Sequence, residues 1–329
     1  MCGRERGYYQ MRLAHRRIVN DIPAGMRLIV GGTFWMGGDD AYAEEAPQRR
    51  MTVDSFFIDE TPVTNRQFAR FIEETGHVTT AEIAPDSRDY PDADPAMLQA
   101  GSSLFVSPPG PVPLSDPFQW WTFSFGTNWR HPHGPDSDLR GLEDHPVVHV
   151  AHSDAVAFAL WAGKQLPTEA QWEFAARGGL DRAAFAWGDE FEPGGVPQAK
   201  YWQGRFPWQN RAKSGWSRTA PVRSFPPNGF GLYDMIGNVW EWTDDWYVDR
   251  SAKKTGACCI SPGQHSNNAA DNRDNQIPGV FFGRKVLKGG SHLCASNYCQ
   301  RYRPAARYAQ DVDSPTSHIG FRCVVPACA

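Results

Sequence analysis

From residue 234 to residue 242 the chain reads Asp-Met-Ile-Gly-Asn-Val-Trp-Glu-Trp, and this stretch indicates what kind of fold to expect. The Gly-Asn pair marks a turn. Trp240 and Trp242 then alternate with other residues, as in a short strand. Beyond Gly179 the arrangement repeats, because short aromatic strands alternate with Gly, Pro and Asn turns and no long helical pattern occurs. The C-terminal half is therefore predicted to consist of short strands and ordered loops.

The N-terminal half carries the helix signals. Three segments begin at a residue that can cap a helix N-terminus and end at a glycine that can stop one. The predicted helices run from a capping box at Thr64 to Gly76, from Ser153 over residues 154–162 to Gly163, and from a capping box at Thr168 to Gly178. Apolar segments before them predict strands at residues 26–30, 33–37, 51–53 and 56–58.

Composition excludes several classes of protein. The 329 residues include 33 Lys and Arg against 37 Asp and Glu, a formal charge of −4, whereas a general nucleic-acid-binding protein needs a basic surface. No apolar run approaches the roughly 18 residues that cross a bilayer, and the charged N-terminus does not resemble a secretory signal. Seven Cys are too few for a disulfide scaffold. We therefore expect a cytoplasmic protein with neither nucleic-acid nor membrane partners.

Two polar stretches interrupt the patterned sequence. Residues 83–118 are rich in Pro, Asp and Ser, and residues 251–280 are rich in Asn and Asp. We interpret both as surface insertions rather than linkers, because the elements on either side do not form self-contained repeats.

The stretch that most strongly suggests a metal-binding or catalytic site is residues 289–299, Gly-Gly-Ser-His-Leu-Cys-Ala-Ser-Asn-Tyr-Cys. Cys294 and Cys299 stand five residues apart, which differs from the two-residue gap usual for structural zinc. Two soft thiolates on a short curved segment suit a soft ion such as Cu(I). The basic residues that follow, Arg301, Arg303 and Arg307, would favour the thiolate form. The residues alone leave open that both thiols are ordinary buried cysteines.

Two further groups of residues suggest metal sites, although their patterns are less specific than that of the paired thiols. His145, His149 and His152 lie close in sequence, but residues 145–150 are strand-like and Pro146 disfavours a helix that would align them, so structural histidines are expected. Asp234 and Glu241 flank a Gly turn, an arrangement of carboxylates and carbonyls that can hold Ca²⁺ without the EF-hand spacing. The remaining thiols, Cys2, Cys258, Cys259 and Cys328, are interpreted as incidental.

Taken together, these segments resemble the formylglycine-generating enzymes, or sulfatase-modifying factors, from about Gly25 to Val325. The shared motifs are residues 31–37 (GGTFWMG), 128–137 (NWRHPHGPDS), 145–147 (HPV), 166–173 (LPTEAQWE), 177–179 (RGG), 202–204 (WQG), 226–234 (PPNGFGLYD), 237–242 (GNVWEW), and 288–291 (KGGS) through 320–323 (GFRC). The scaffold motifs mark a wide superfamily. The pair Cys294 and Cys299, followed by basic residues, marks its oxidase branch.

The resemblance implies an α+β fold: a single irregular domain related to the C-type lectins, with little regular secondary structure. The catalytic domain would span residues 23–326, between a flexible basic tail at residues 1–22 and a short tail at residues 327–329. The implied activity is O₂-dependent oxidation of one cysteine of a sulfatase to Cα-formylglycine. The implied partner is an unfolded or nascent sulfatase whose Cys-x-Pro-x-Arg segment is still extended.

The resemblance also assigns roles to single residues. Cys294 and Cys299 would hold Cu(I), which leaves room for the substrate thiolate. Ser291 and Trp240 would line the catalytic pocket. The substrate-binding candidates are Tyr298, Arg307, His318, Asp86 and Ser87; of these, His318 stands where relatives have Asn, and the last two would receive the substrate arginine.

Calcium and disulfides are further points of comparison. The family often binds two Ca²⁺ ions, and one structural site maps onto the Asp234 and Glu241 side chains with the carbonyls of Gly237 and Val239. The other maps onto Lys200, Tyr201, Ser214 and Trp216, and it should be empty because a lysine ammonium does not ligate Ca²⁺. Ala159 and Ala176 replace disulfide cysteines of secreted relatives, which leaves Cys323 without its usual partner.

Two other interpretations remain open. One is a non-catalytic lectin-like binding protein, although such a protein has no need of two neighbouring thiols. The other is an iron-dependent relative that forms carbon–sulfur bonds, although such relatives carry an additional helical domain with a His-rich iron motif. The first 60 residues of this chain contain one histidine, His15.

Overall fold

The computed structural model describes residues 22–88, 90–211, 215–250 and 283–327. Several predictions lie outside these residues. They concern most of the N-terminal tail, Ser214, residues 251–280, and Cys2, Cys258, Cys259 and Cys328.

The three predicted helices are present, as α1 (Asn65–Thr75), α2 (His152–Trp161) and α3 (Glu169–Arg177). Helices α1 and α3 begin and end as predicted. Thr64 and Thr168 both form complete capping boxes, and Gly76 and Gly178 adopt the left-handed conformation that ends a helix.

Helix α2 differs from its prediction at the start. It begins at His152, with Ala151 as the preceding residue, and not after Ser153. The buried Asp154 carboxylate reaches back to accept the Ala151 N–H at 2.9 Å. The Asp154 side chain therefore caps the helix from a position inside it, and α2 begins closer to the N-terminus of the chain than predicted.

Thirteen short strands form small sheets in the described ranges. They are β1 (Met26–Ile29), β2 (Gly32–Met36), β3 (Arg49–Val53), β4 (Phe56–Asp59), β5 (Gly101–Phe105), β6 (Trp121–Phe125), β7 (Gly204–Arg205), β8 (Gln209–Asn210), β9 (Trp240–Trp246), β10 (Arg284–Lys288), β11 (Arg307–Asp311), β12 (Ile319–Gly320) and β13 (Val324–Pro326). The sheet orders are β1-β4-β13, β11-β10-β9-β12, β2-β3, β5-β6 and β7-β8. The four predicted N-terminal strands are confirmed, and the architecture is an irregular α+β domain.

The main core is aromatic and lies between the helices and the C-terminal strands. Phe68 of α1 contacts Phe158 of α2, and Phe321 meets both of these rings. Trp172 of α3 is fully buried against the segment that precedes the paired thiols. These contacts hold the loops that carry the site. No helix in the described ranges combines the length and apolarity needed to cross a bilayer.

Two sequence interpretations are wrong. Residues 83–118 are not merely a surface insertion, because they include β5 and bury Leu104 and Phe105. Residues 145–150 do not form a strand, because Pro146 makes only an isolated bridge to Thr64 and His149 has a φ of 60°. In both segments tertiary contacts outweigh the local composition.

Candidate active site

The segment that carries the paired thiols begins with two residues whose backbone conformation and close surroundings require glycine. Gly289 and Gly290 have φ values of 92° and 71°, a region that favours glycine. A Cβ on Gly289 would lie 2.8 Å from the Trp172 ring, and one on Gly290 would lie 2.5 Å from the Arg301 carbonyl oxygen. The Gly-Gly pair therefore lets the chain fold back closely on itself before the first thiol.

Turns then bring the two thiols together. The Cys294 N–H donates to the Ser291 carbonyl at 3.0 Å, and the Ala295 N–H donates to the Cys299 carbonyl at 2.9 Å. As a result the Sγ atoms of Cys294 and Cys299 lie 3.3 Å apart as free thiols. Cys294 is buried and Cys299 is partly accessible. The two candidate ligands thus form one site.

Electrostatics favours one negative charge on this pair. The hydrogen bond from Cys294 lowers the pKa of Cys299 to about 6, and Arg301 contributes to this lowering. Burial raises the pKa of Cys294, so that residue holds its proton. The Ser291 N–H also points at the Cys294 sulfur, at 3.4 Å. At neutral pH the pair is a thiol next to a thiolate.

A loop from the N-terminal region supports the thiolate. The guanidinium of Arg301 lies 3.8 Å from the Cys299 sulfur and pairs with Glu44 at 2.5 Å. The ring of Tyr42 stacks on that guanidinium at 3.9 Å, and its hydroxyl accepts the Gln300 N–H. Because both partners come from a distant loop, sequence inspection did not find them.

The thiols open into a cavity of about 300 Å³. Four of the other predicted site residues line it: Ser291, Trp240, Tyr298 and His318. Besides Arg301, the rest of the wall comes from the aromatic residues Trp120, Trp121, Phe206 and Tyr308, and from Ser103, Leu293, Gln310 and Thr316. Sequence reasoning missed these residues; the alternating aromatics at residues 121–125 were the signal that could have found part of them.

Local contacts fix the orientation of the lining residues. The Tyr298 ring stacks on Phe206 at 4.7 Å, and its edge meets Trp120. The His318 Nδ1 and the Thr316 hydroxyl are 2.7 Å apart. Burial lowers the pKa of His318 to about 3, so it is a neutral group at physiological pH.

Three predicted substrate-binding residues lie elsewhere. Arg307 is fully buried, and its guanidinium donates to Glu169 at 2.9 Å, so it belongs to a structural ion pair and does not line the cavity. Asp86 lines a neighbouring cavity of about 550 Å³ and pairs with Arg88, while Ser87 is exposed beside it. The two cavities share Ser103.

The predicted calcium ligands are only partly suited to a cation. Asp234 is buried, and burial raises the pKa of its carboxyl to about 6, as expected for a carboxylate short of positive charge. The Glu241 carboxylate, by contrast, accepts from Arg322 at 2.7 and 2.8 Å and from Trp172 at 2.7 Å. As a side-chain ligand it does not fit, because its negative charge is already balanced.

The residues of the second calcium position are also altered. Lys200 is buried, its Nζ has no hydrogen-bond partner among the described residues, and burial lowers its pKa to about 8. Gly237 packs against its main chain, where a Cβ would lie 2.4 Å from the Lys200 carbonyl oxygen. Tyr201 is buried and Trp216 partly so.

Two of the three candidate histidines make hydrogen bonds within the fold, and the third, His152, packs edge-on against the Trp242 ring. His145 lies 2.9 Å from the Thr219 hydroxyl, and His149 lies 2.7 Å from the Ser102 hydroxyl and 3.0 Å from the Pro132 carbonyl. In the described ranges, no group of three His, Cys, Asp or Glu side chains is arranged to hold a metal. A copper site would therefore rest on two sulfurs alone.

Comparison with known proteins agrees with this site. A family model for the sulfatase-modifying factor enzyme 1-like domain matches residues 11–327. The chain belongs to the sulfatase-modifying factor family. It is 51% identical to the formylglycine-generating enzyme of Mycobacterium tuberculosis over 295 residues. This alignment covers 89% of this chain and 95% of that protein. It is also 35% identical to the inactive C-alpha-formylglycine-generating enzyme 2 of Bos taurus, over 92% of this chain and 89% of that protein.

Solved structures agree at the level of the fold. PvdO from Pseudomonas aeruginosa superposes with a TM-score of 0.55 at 21% identity, over 91% of this chain and 93% of that one. At this identity the likeness supports the shared architecture alone. Since the family also contains a relative named as inactive, the argument for activity depends on the thiols.

Proposed function

We propose that this protein is a formylglycine-generating enzyme, which oxidises one cysteine of a sulfatase polypeptide to Cα-formylglycine with O₂ and Cu(I). High identity to named formylglycine-generating enzymes supports an enzyme that acts on a protein cysteine. The observation that carries the proposal is the pair of sulfurs 3.3 Å apart, one of them a thiolate, at the wall of an aromatic cavity.

The residues present fit a copper(I) ion. Cu(I) prefers soft sulfur donors, and Cys294 and Cys299 offer two of them on one rigid turn. The low pKa of Cys299 reduces the proton release that metal binding requires. Bound there, Cu(I) would supply a site that binds the substrate thiolate and activates O₂.

The chain itself would orient the substrate and exclude water. Aromatic side chains form part of the wall around the place that a substrate cysteine would occupy beside Cys299, so they would help to hold its Cβ in a fixed position. Arg301 would balance negative charge as thiolates accumulate. The neutral imidazole of His318 would offer a hydrogen bond without adding charge to the cavity.

The overall reaction balances with a reductant. The substrate thiol loses two electrons and two protons to become a thioaldehyde, and water then replaces its sulfur to give the aldehyde and H₂S. Reduction of O₂ to two waters takes four electrons, so an external reductant, such as a low-molecular-weight thiol, would supply the other two.

We further propose the substrate form and the setting. The thiolate lies in a cavity and not on a protruding surface, so a Cys-x-Pro-x-Arg segment would have to be extended and unfolded, as in a nascent sulfatase. Free thiols at Cys294, Cys299 and Cys323 suit the cytoplasm. One structural Ca²⁺ would bind at Asp234 with the carbonyls of Gly237 and Val239, without the Glu241 carboxylate.

The decisive experiment compares three serine variants. A peptide with a Cys-x-Pro-x-Arg segment is incubated with copper-loaded enzyme, O₂ and a reductant, and the mass change from thiol to aldehyde is followed. Cys294→Ser and Cys299→Ser should abolish turnover and Cu(I) binding, because a hydroxyl is a poor ligand for a soft ion. Cys323→Ser, at a buried thiol that does not line the cavity, should retain both.

One result would contradict the proposal directly, and a second would move the decision to the wild-type protein. If the first two variants keep full turnover, the paired thiols do not carry the chemistry. If all three variants lose both their activity and their cooperative melting transition, the effect is on folding. In that case Cu(I) binding by the folded wild-type protein, measured by X-ray absorption, decides whether sulfur is the ligand.

A further inference from the structure

The hairpin formed by β5 and β6 has one covered edge and one open edge. The Ser103 N–H of β5 donates to the Pro315 carbonyl, and the Ser103 carbonyl accepts from the Ser317 N–H. These bonds cover the outer edge of β5 with the segment that leads to His318. In the described ranges β6 pairs with β5 alone, so its outer edge is unpaired.

The register identifies the backbone groups on the open edge. Gly126 N–H donates to the Ala100 carbonyl, and Val106 N–H donates to the Trp120 carbonyl. In an antiparallel pair, bonded residues alternate with residues whose groups point outward. With Gly101 opposite Phe125, the outward N–H and C=O groups of β6 belong to Trp121, Phe123 and Phe125.

This edge lacks the usual protection against pairing with another chain. Natural edge strands commonly carry charges, proline or bulges, whereas β6 reads Trp-Thr-Phe-Ser-Phe. Phe123 and Phe125 are 40% and 36% exposed, and Phe118, in the turn before the strand, is 84% exposed. An exposed apolar edge of this kind indicates a surface that binds an extended chain.

The edge is continuous with the proposed active site. Trp121 lines the cavity that contains the thiols, and Phe123 lines the neighbouring cavity that contains Asp86. Because side chains alternate along a strand, Trp121, Phe123 and Phe125 share one face. A strand added at this edge would begin at the thiols and end toward the second cavity.

We propose that β6 receives the substrate polypeptide as an added parallel strand, with the reacting cysteine opposite Trp121. This inference rests on the proposed function and specifies how the partner binds there. Five residues of β6 match the five residues of a Cys-x-Pro-x-Arg segment at equal rise. The cysteine, proline and arginine would then lie opposite Trp121, Phe123 and Phe125.

Strand geometry selects the parallel direction. Residues directly opposite each other share a face of the sheet. In a parallel pair, the residues opposite Trp121, Phe123 and Phe125 point their own N–H groups away from β6, and their chain neighbours make the bonds. Proline, which has no N–H, is therefore tolerated at the central position, and all three motif side chains face the cavities.

An antiparallel strand in which the same side chains face the cavities would place the proline in a bonded pair with an outward residue of β6. The missing N–H would then leave the carbonyl of that residue without a donor. The parallel arrangement instead assigns the β6 bonds to the two unspecified residues of the segment. Backbone recognition does not depend on the identity of those side chains.

The test measures Kd for a fluorescent Cys-x-Pro-x-Arg peptide and for versions with a single N-methyl amide. Methylation of either unspecified residue should raise Kd about fivefold or more, since it removes one donor to β6. Methylation of the arginine amide, which points away from β6, should leave Kd within about twofold. Equal effects at all three positions, or an effect at the arginine alone, would overturn the parallel strand.

The protein side has a matched pair of variants. Phe123→Pro removes the outward N–H, and proline is compatible with an edge strand when that N–H faces solvent. Phe123→Ala removes the ring and keeps the donor. Kd should be several-fold higher for Phe123→Pro than for Phe123→Ala, while both variants melt together and bind Cu(I) equally; equal Kd values for two folded variants would refute the proposal.

The two proposals fail in different ways. Absence of turnover of the unmodified peptide by copper-loaded wild-type enzyme would count against the oxidase function. The alternating effect of N-methylation is read from binding and does not require turnover, so it tests the added strand by itself.

Discussion

Replacement of Asp234 by Asn should stabilise the cation-free protein at neutral pH. The carboxylate is buried, and burial raises its pKa from the ordinary 3.8 to about 6. Such a shift corresponds to a penalty on the order of 3 kcal/mol for the charged form. Asn keeps the shape and an oxygen that can accept the Arg223 N–H, now 2.9 Å away. It also tolerates the φ of 53° at this position.

The sign of the pH dependence follows from the raised pKa. Below about pH 4 Asp234 is protonated in both the folded and the unfolded state, so wild type and variant should be equally stable. Between about pH 4 and pH 6 the unfolded chain loses this proton and the folded protein retains it, so the wild type loses stability relative to the variant. Above pH 6 the difference should level off.

Urea unfolding in EDTA at several pH values measures this difference, and the same series with Ca²⁺ tests the cation. Calcium should stabilise the wild type and leave Asp234→Asn unchanged. Glu241→Gln is the control: it breaks the buried pair with Arg322 and should destabilise the protein with or without Ca²⁺. If Asp234→Asn is the less stable protein at pH 8 in EDTA, the assignment of a burial penalty is wrong.

Three further predictions concern the thiol segment and its supports. Arg301→Met removes the charge 3.8 Å from the Cys299 sulfur, so the midpoint of Cys299 alkylation should move above about pH 6; an unchanged midpoint would contradict a role for the guanidinium. Arg307→Met removes a positive charge beside the buried Glu169 carboxylate and should lower the free energy of unfolding, measured in urea, by about 3–5 kcal/mol. A decrease below about 1 kcal/mol would argue against a structural ion pair. Gly289→Ala should lower Tm, because its Cβ would lie 2.8 Å from the Trp172 ring and the φ is 92°; a Tm equal to that of wild type would show that this close approach is dispensable.

Local signals were sufficient to predict the helices. The capping boxes at Thr64 and Thr168 and the terminal glycines act within one turn of chain, so the sequence contains the whole interaction. The start of α2 was misplaced by two residues because the effective group, Asp154, reaches backward from inside the helix. The pairing of Cys294 with Cys299 was also predictable, since they stand only five positions apart in the chain.

Long-range contacts explain what sequence reasoning missed. Glu44 supports the thiolate through Arg301, a partner 257 residues away in the chain, and no local pattern connects the two. The polar composition of residues 83–118 concealed β5, whose apolar residues are few but buried. Glu241 was predicted as a calcium ligand because its spacing from Asp234 is suitable, whereas the fold brings Arg322 to it from 81 residues away.

An irregular scaffold can still position two sulfurs because both ends of the thiol segment are fixed to one helix. Residues 289–306 lie between β10 and β11, and the last residue of β10, Lys288, is paired in register with the first of β11, Arg307. The Lys288 Nζ donates to Glu173 at 2.9 Å, and Arg307 donates to Glu169, four residues earlier on α3. Since positions four apart lie on one helical face, a single face of α3 receives both ends. Buried ion pairs that are costly to break thereby fix both ends of the loop from outside the site, and the local turns at Ser291–Cys294 and Ala295–Cys299 then bring the two sulfurs together.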